Sequence, residues 1–584
     1  MNKKRLLTTL AATSLVVLTL VGCGKSANND NNVKKVSLPS EYKNTKPAIK
    51  GGTLRTAYVT DSAFKGVFNE ELYNDAYDAD VMRFGAESLF ATDANYKYTK
   101  GGAADISFDR KNNTATVTIN PKVKWSDGQP LTAQDYEYAY KIIANKESKS
   151  SRYTDSLQNL KGLKEYHEGK TDNISGFQIV NDHKVILHFK EIKPGMYTSG
   201  NGFIWENAAP YHYLKDVPFS KLVSSDQVRK HPLFFGPYKL TKLVQGESAE
   251  WTPNEYYYKG KPKLDKITIE TVSTSSASAA LKAKKYDILF DEPASVYGQN
   301  RNPKGYKMLG SEDLYYSYLG FNVGHFDEKT GENVMDKNTK VSNRKLRQAL
   351  GYAMNVDQVA KKFGYGLSYR ATTLIPTAFK EYHDKDAKGF PQDLDKANKL
   401  LDEAGYKKGK DGYRKTPEGK KLTLTLLAMG GSANTEASVR NYIQQWKKVG
   451  VRVKLYNGRF LDFNNFYDII QGGSKKYDMY MAAWGVASEP SPNDLYSKSA
   501  PYNYTHFVSA ENTKLLNNIN STKAFDNNYR KEQFNKWQEY MNKEAYVIPI
   551  INRYQPVPVS TKVKGMHLTP DLNNVKWDQV ELTK

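Results

Sequence analysis

An α/β fold of two or more domains is what this sequence predicts, on three observations. Strand and helix patterns alternate through the second half: "KLTLTLLAM" reads as a strand, "ASVRNYIQQWKKVG" as a helix, "VRVKLYN" and "YDMYMAAW" as strands. That order builds a sheet covered by helices. The chain has 584 residues at 39% hydrophobic content, ample for more than one core. Cys23 is the only cysteine, so no disulfide within the chain staples the fold.

The position of that cysteine is informative. Lys3, Lys4 and Arg5 precede a stretch from Leu6 to Val21 that is apolar or small, broken only by threonines and one serine. It is shorter than the roughly 20 residues that span a bilayer, and Gly22 follows it. This is the layout of a secretory signal peptide. Its end, Leu20-Val21-Gly22-Cys23, resembles the lipobox of bacterial lipoproteins. The resemblance implies removal of residues 1–22 and a diacylglycerol on the Cys23 sulfur, with two acyl chains anchoring at about 0.8 kcal/mol per buried methylene. Read as a lipid attachment point, Cys23 leaves no disulfide, no Cys-ligated zinc and no Cys nucleophile to be expected. The alternative is an ordinary signal peptide with an incidental cysteine. Gly24 to Lys50 is rich in Asn, Ser, Lys and Pro with almost no apolar periodicity, so residues 23–50 are expected to form a flexible tether.

Net charge is +22, falling to +19 once Lys3, Lys4 and Arg5 are removed. A secretion signal and scattered charges argue against nucleic acid. Attraction to anionic headgroups or wall polymers fits better, beside the simpler reading of a solvated surface. The 42 tyrosines suit adaptable recognition surfaces, though many must serve as core.

Along the chain, "GGTLRTAYV" alternates like a strand, and the runs flanking Lys111-Asn112-Asn113 read as a hairpin. Ser126-Asp127-Gly128 marks a turn. Thr132 is the expected N-cap of an amphipathic helix, with Asp135 as its acidic first-turn partner. "FFGPYKLTKLV" and "GESAEWTPNEYYYKGKPKLDKITIETV" alternate strand and turn signals. "SASAALKAKKYDILF" reads as helix into strand. From Ser342 a long helical pattern runs through "SNRKLRQALGYAMNVDQVAKKF", with Ser342 as its N-cap, and Gly405 stops the helix "DKANKLLDEAGY".

Enzyme signatures fail one by one. The nine histidines make no H-x-H, and His167-Glu168 lacks the second histidine of H-E-x-x-H, the position being Thr171. There is no G-x-S-x-G, Walker A or G-x-G-x-x-G. Ser342 to Lys345, Ser491 to Asn493 and Lys329 to Gly331 fit the three motifs of penicillin-binding enzymes, but K-T-G comes first here and should come last. No enzyme, no metal site and no cofactor are therefore expected.

"TLRTAYV", "VKWSDGQPLTAQDYEYAYK", "GPYKLTKLVQGESAEWTPNEYYYKGKPKLDKI", "LGFNV" and "LRQALGYAMNVDQV" occur in the order of one family. From about Gly51 to the end the sequence resembles the peptide-binding family of ABC-importer substrate-binding proteins, extracellular solute-binding family 5. The resemblance implies a two-lobed, periplasmic-binding-protein-like α/β fold with an extra subdomain in lobe one. Lobe one is expected at residues 51–319 with the insertion near 91–235, lobe two at 320–546, and a return to lobe one over 547–584. Crossings are expected near Tyr318–Asn322 and Tyr546–Asn552, short enough to absorb a hinge motion. The implied function is capture of oligopeptides by backbone pairing in the cleft and delivery to ABC permease subunits. It would be carried out by a monomer held on the outer face of the cell membrane. A pheromone, a sugar or a nickel complex as ligand stays open.

Site residues follow where motifs align. The family's cleft strand ends in a tryptophan; here it is "YDMYMAAWGVASEP", which nominates Ala483, Trp484, Gly485 and Val486. Well-studied members carry an aspartate three residues after the tryptophan that binds the peptide's ammonium. Here Ala487 stands there, with Glu489 the nearest acid and Asp494 further on. The family's arginine three residues before the tryptophan is Met481. Asp78 and Asp80 align loosely with the first-lobe cleft segment, a solvated loop being the alternative.

A thioether needs the sulfur, so Cys23→Ala should abolish labelling by a fatty-acid analogue and release protein or precursor from membranes. Label persisting on the alanine variant contradicts the lipoprotein reading.

Overall fold

The computed structural model describes residues 35–570 and 575–584. The expected signal peptide, Cys23 and the first part of the tether lie outside the described residues.

A twelve-stranded sheet runs through both lobes. In the first, Thr53–Val59 lies parallel to Lys266–Val272 on one side and Ile288–Phe290 on the other. The antiparallel strands Ser248–Pro253 and Tyr238–Val244 extend it outward. In the second, Met479–Gly485 pairs antiparallel with Tyr315–Phe321 and parallel with Thr423–Ala428, and Arg452–Leu455 forms the edge. One fourteen-residue strand, Val547–Ser560, joins the halves. Its first part pairs with Tyr315–Phe321, from Val547 opposite Gly320 to Ile551 opposite Ser317. Its second part pairs with Tyr306–Glu312, from Tyr554 opposite Glu312 to Ser560 opposite Tyr306. The chain is thus a two-lobed α/β protein. Asn552 and Arg553 still pair with Tyr369 and Ser368 of the lobe-two strand Ser368–Arg370. The partner change therefore places the crossings at Asp313–Leu314 and between Arg553 and Tyr554, a few residues away from Tyr318–Asn322 on the first strand and just beyond Tyr546–Asn552 on the second.

A separate four-stranded antiparallel sheet, ordered Ala104–Asp109, Thr114–Ile119, Lys184–His188 and Phe177–Asn181, stands beside lobe one. Its own core includes Trp125, Tyr136, Tyr140 and Leu187. Its first hairpin turns as the sequence indicates: the Asp109 carboxylate accepts the Lys111 and Asn112 amides, and Asn113 takes a left-handed φ of 54°. The helix Ala133–Ala144 opens with a capping box in which Asp135 accepts the Thr132 amide at 2.7 Å.

Two helical details differ from expectation. Asn343, not Ser342, caps the helix Arg344–Ala353, its side chain accepting the Lys345 and Leu346 amides. The long helical pattern breaks at Met354–Asn355, where Asn355 turns its side chain to the Gln358 amide and starts a second helix, Val356–Phe363. An Asn side chain that competes for backbone amides ends one helix and begins the next.

From Lys35 the chain is docked rather than free. The Val36 amide donates to Gly366 O of lobe two, and the Lys35 ammonium lies 3.5 Å from the Tyr369 ring centre. The Tyr554 hydroxyl sits 2.8 Å from Leu38 O and 3.0 Å from Gly310 O. Gly310 must lack a side chain, since a Cβ would come within 2.6 Å of the Tyr554 ring. Asn44, 6% exposed, donates to Thr561 O and Val563 O near the C-terminus. Backbone hydrogen bonding, not apolar periodicity, orders residues 35–50, which is why composition read them as tether.

Tyr554→Phe removes the hydroxyl that ties this strap to the crossing strand. It should cost about 1 kcal/mol in denaturant unfolding, the usual size of one hydrogen bond. An unchanged midpoint means that the Tyr554 hydroxyl does not hold the strap.

Candidate ligand-binding site

Where the strand Met479–Gly485 meets the cleft, its pairing becomes one-sided. The parallel neighbour matches Met479, Tyr480 and Met481 and then ends, whereas Tyr315, Tyr316 and Ser317 remain paired with Gly485, Trp484 and Ala483. Ala482 to Gly485 therefore carry an edge without a sheet partner on one side. A Cβ built on Gly485 meets nothing within 4 Å. Ala483, Trp484, Gly485 and Val486 all line a cavity of about 1130 Å³ between the lobes. That exceeds the roughly 300–1,000 Å³ of small-molecule sites. The Trp484 ring stacks on Tyr504 at 5.5 Å and meets Tyr502 edge-on at 5.5 Å.

The lobes touch on both sides of this cavity. Lys65 pairs with Asp468 at 3.1 Å, Asn464 donates to Ala63 O at 3.0 Å, and the Tyr77 and Phe463 rings lie 4.7 Å apart. From the inserted subdomain, Arg152 donates to the Tyr502 hydroxyl at 2.8 Å, and the Ser199 carbonyl accepts from Ser488 at 2.9 Å. The conformation is closed.

The acids nominated from sequence are mostly engaged. Glu489 lines the cavity but is 4% exposed, with Oε1 2.6 Å from the Arg530 guanidinium and Oε2 accepting the Ser491 amide at 2.9 Å. Both oxygens already brace the wall. Asp78 is fully buried and does not line the cavity; it accepts the Gly66 and Val67 amides at 2.6 and 3.1 Å and holds that loop. Burial pushes its carboxyl up to about 7. Asp80 lines the cavity in an ion pair with Arg83, and burial raises it as well. Asp494, also on the wall, is pushed up to about 6 by burial.

Sequence reasoning missed Glu292, Arg152 and Tyr502. Glu292 lines the cavity at 3% exposure, and neither carboxyl oxygen has a hydrogen-bond partner. Burial alone pushes it up to about 8. In "DILFDEPASVY" nothing separates it from an ordinary loop acid. Of the penicillin-binding triplets only Ser491–Asn493 reaches the cavity wall. Among the described residues no group of three or more His, Cys, Asp or Glu side chains is placed to hold a metal, and no helix is long and apolar enough to cross a membrane.

Two α/β lobes closed over a cavity, with a strand edge presented to it, define a solute-binding protein of the two-lobed kind. The family model for bacterial extracellular solute-binding proteins, family 5 (middle), matches residues 98–506, and the chain belongs to this family, as its motifs imply. It is 45% identical to the oligopeptide-binding protein OppA of Lactococcus lactis subsp. lactis, over 99% of this chain and 98% of the relative. The structure of lactococcal OppA "complexed with an endogenous peptide in the closed conformation" superposes with a TM-score of 0.89 at 46% identity, covering 91% of this chain and all of that one. AppA of Bacillus subtilis in complex with a nonapeptide shares the fold, with a TM-score of 0.77 at 22% identity over 92% of this chain and all of that one.

The raised carboxyls set a pH dependence. Asp78 and Glu292 hold protons in the folded state that the unfolded chain releases near its ordinary carboxylate value of about 4. The stability they contribute is complete below that value and is lost as pH rises through about 7 to 8. Ligand-free protein should therefore melt at a higher temperature at about pH 5.5 than at about pH 8, and Glu292→Gln should shrink the difference by raising the value at the higher pH. A melting temperature that does not fall with rising pH across this window contradicts the assignment.

Proposed function

We propose that this protein captures oligopeptides in the interlobe cavity and delivers them to an ABC permease, as a monomer held at the outer face of the cell membrane by a lipid on Cys23. The observation that carries the reading is the backbone edge at Ala482–Gly485, which has no neighbouring strand on one side and carries a long side-chain contact from the Tyr467 hydroxyl to Ala483 O at 3.4 Å. An extended peptide laid along it gains main-chain hydrogen bonds that are blind to side-chain identity. A cavity of about 1130 Å³ leaves room for varied side chains and bridging water. The relatives named for oligopeptides, and the lactococcal structure that holds an endogenous peptide, support the same ligand class. Glu489, engaged by Arg530, is a brace of the wall in this reading rather than an ammonium clamp. Binding is the whole activity: the protein closes, docks and releases, and nucleotide is hydrolysed by other subunits.

Native mass spectrometry of the purified protein tests the ligand class. A copurified series of peptide masses is expected; a single glycan or metal-complex mass overturns the reading.

Trp484 forms one wall beside the open edge. Trp484→Ala should weaken peptide binding by at least about 1 kcal/mol, the threshold for an anchoring aromatic, as measured by calorimetry on a variant shown to be folded. Unchanged affinity moves the peptide elsewhere in the cavity.

A further inference from the structure

The chain is strongly basic, yet its cavity is acidic. Seven acidic side chains line it against three arginines, with no lysine or histidine among the lining residues, while the whole chain carries +22. Near the lobe crossings the acids are Asp80, Asp291, Glu292 and Asp313. Arg83 pairs with Asp80, and Arg553 pairs with Asp313 at 2.7 Å. Asp291, held in a left-handed conformation with a φ of 51°, interacts with both of these pairs. No arginine or lysine is left for Glu292.

Glu292 is the uncompensated member. It follows the strand Ile288–Phe290 and is held 97% buried at the cavity wall with both oxygens unpartnered. A buried carboxyl without a hydrogen bond costs stability. A glutamine or an apolar residue at this position would remove that cost. Such a group is accounted for when a ligand supplies the missing partner, because binding sites keep polar groups that destabilise the empty protein. The missing partner is a cation that donates hydrogen bonds.

Building on the peptide-capture reading, we propose that Glu292 is the receptor for a positively charged group of the bound peptide, and that it makes the cavity favour cationic peptides over neutral ones. The group is an ammonium or guanidinium, carried by the peptide's amino terminus or by a Lys or Arg side chain. It would displace the proton that Glu292 holds in the empty protein, pair with the resulting carboxylate and complete its hydrogen bonding, while the acidic surplus beside it attracts the same charge. The three arginines on the wall do not compete, because Arg83 and Arg553 face their own carboxylates and Arg152 is bound to Tyr502.

Dissociation constants by calorimetry test this on wild type, Glu292→Gln and Glu292→Asp. The probes are four peptides of one sequence, with a free or acetylated amino terminus and with lysine or norleucine at one position. Wild type should favour a charged member over its neutral counterpart by about tenfold or more, the usual strength of a charge-assisted hydrogen bond. The free-versus-acetylated pair reports a terminal ammonium, and the lysine-versus-norleucine pair reports a side chain. Glu292→Gln should abolish the preference, keep the affinity for the acetylated norleucine peptide within about twofold, and fold at least as stably as wild type. Glu292→Asp, which keeps the charge, should retain part of the preference. The inference is overturned if wild type shows no charge preference, or if the preference survives Glu292→Gln. Binding of the acetylated norleucine peptide separates the two readings: if that peptide and the charged ones all fail to bind wild type, peptide capture itself is wrong.

Discussion

The structure depends on one strand with two sets of partners. Val547–Ser560 hydrogen-bonds to the second lobe through its first part and to the first lobe through the rest. Side chains alternate faces along a strand, so slipping either half by one residue would turn a core face outward. Register is therefore locked on both sides, with Asn552 and Arg553 still held by Tyr369 and Ser368 of lobe two, and the strand passes from one lobe to the other between Arg553 and Tyr554. Asn552, 1% exposed, has no hydrogen-bond partner for either side-chain atom, and Arg553 beside it pairs with Asp313 and lies over the Tyr315 ring at 4.0 Å. Asp313 belongs to the other crossing. The two crossings are thus tied to each other, and the cavity opens directly from them. A body of this construction has few ways to change shape other than swinging its lobes.

Polar contacts between the lobes ring the cavity and also lie on its wall, where Asn493 donates to the Ser156 hydroxyl at 3.0 Å. Lys65 with Asp468, Arg152 with Tyr502 and Ser488 with Ser199 are side-chain contacts at the edges of the cavity. The exposed Lys65–Asp468 pair is weak enough to be made and broken, surface ion pairs being worth about 1 kcal/mol or less. In the proposed reading closure rests on the ligand, which would contact both lobes at once and bias an existing equilibrium. Charge is distributed to the same end. The positive surface supports solubility and attraction to anionic surroundings, whereas the acidic interior faces only what the lobes enclose.

Much of this was legible in the sequence. The alternation of strand and helix in the second half, the Thr132–Asp135 capping box and the hairpin at Lys111–Asn113 follow from local chemistry and appear where it places them. The Trp484 strand was found through its motif. Its open edge was not visible, because the end of the neighbouring strand at Ala428 depends on tertiary pairing. Ser342 and Asn343 are both capable caps, and only the backbone geometry chooses between them. Residues 35–50 lack apolar periodicity and still dock, because their order comes from main-chain bonds, and from the Asn44 side chain, to segments more than 200 residues away. For Glu489 and Glu292 the sequence reads the wrong way round. The acid nearest the tryptophan already has its arginine, and the acid in an unremarkable loop has none.

The central claim is that the closed cavity is the ligand-bound end of a hinge equilibrium set by the two crossings. The most direct measurement is the distance between spin labels on Lys65→Cys and Asp468→Cys, positions that face each other across the cleft mouth, with and without peptide. The account predicts one short distance in peptide-saturated protein and a longer or broader distribution in protein stripped of ligand. The same short distance in both would show that the lobes are fixed and that peptide enters without the hinge.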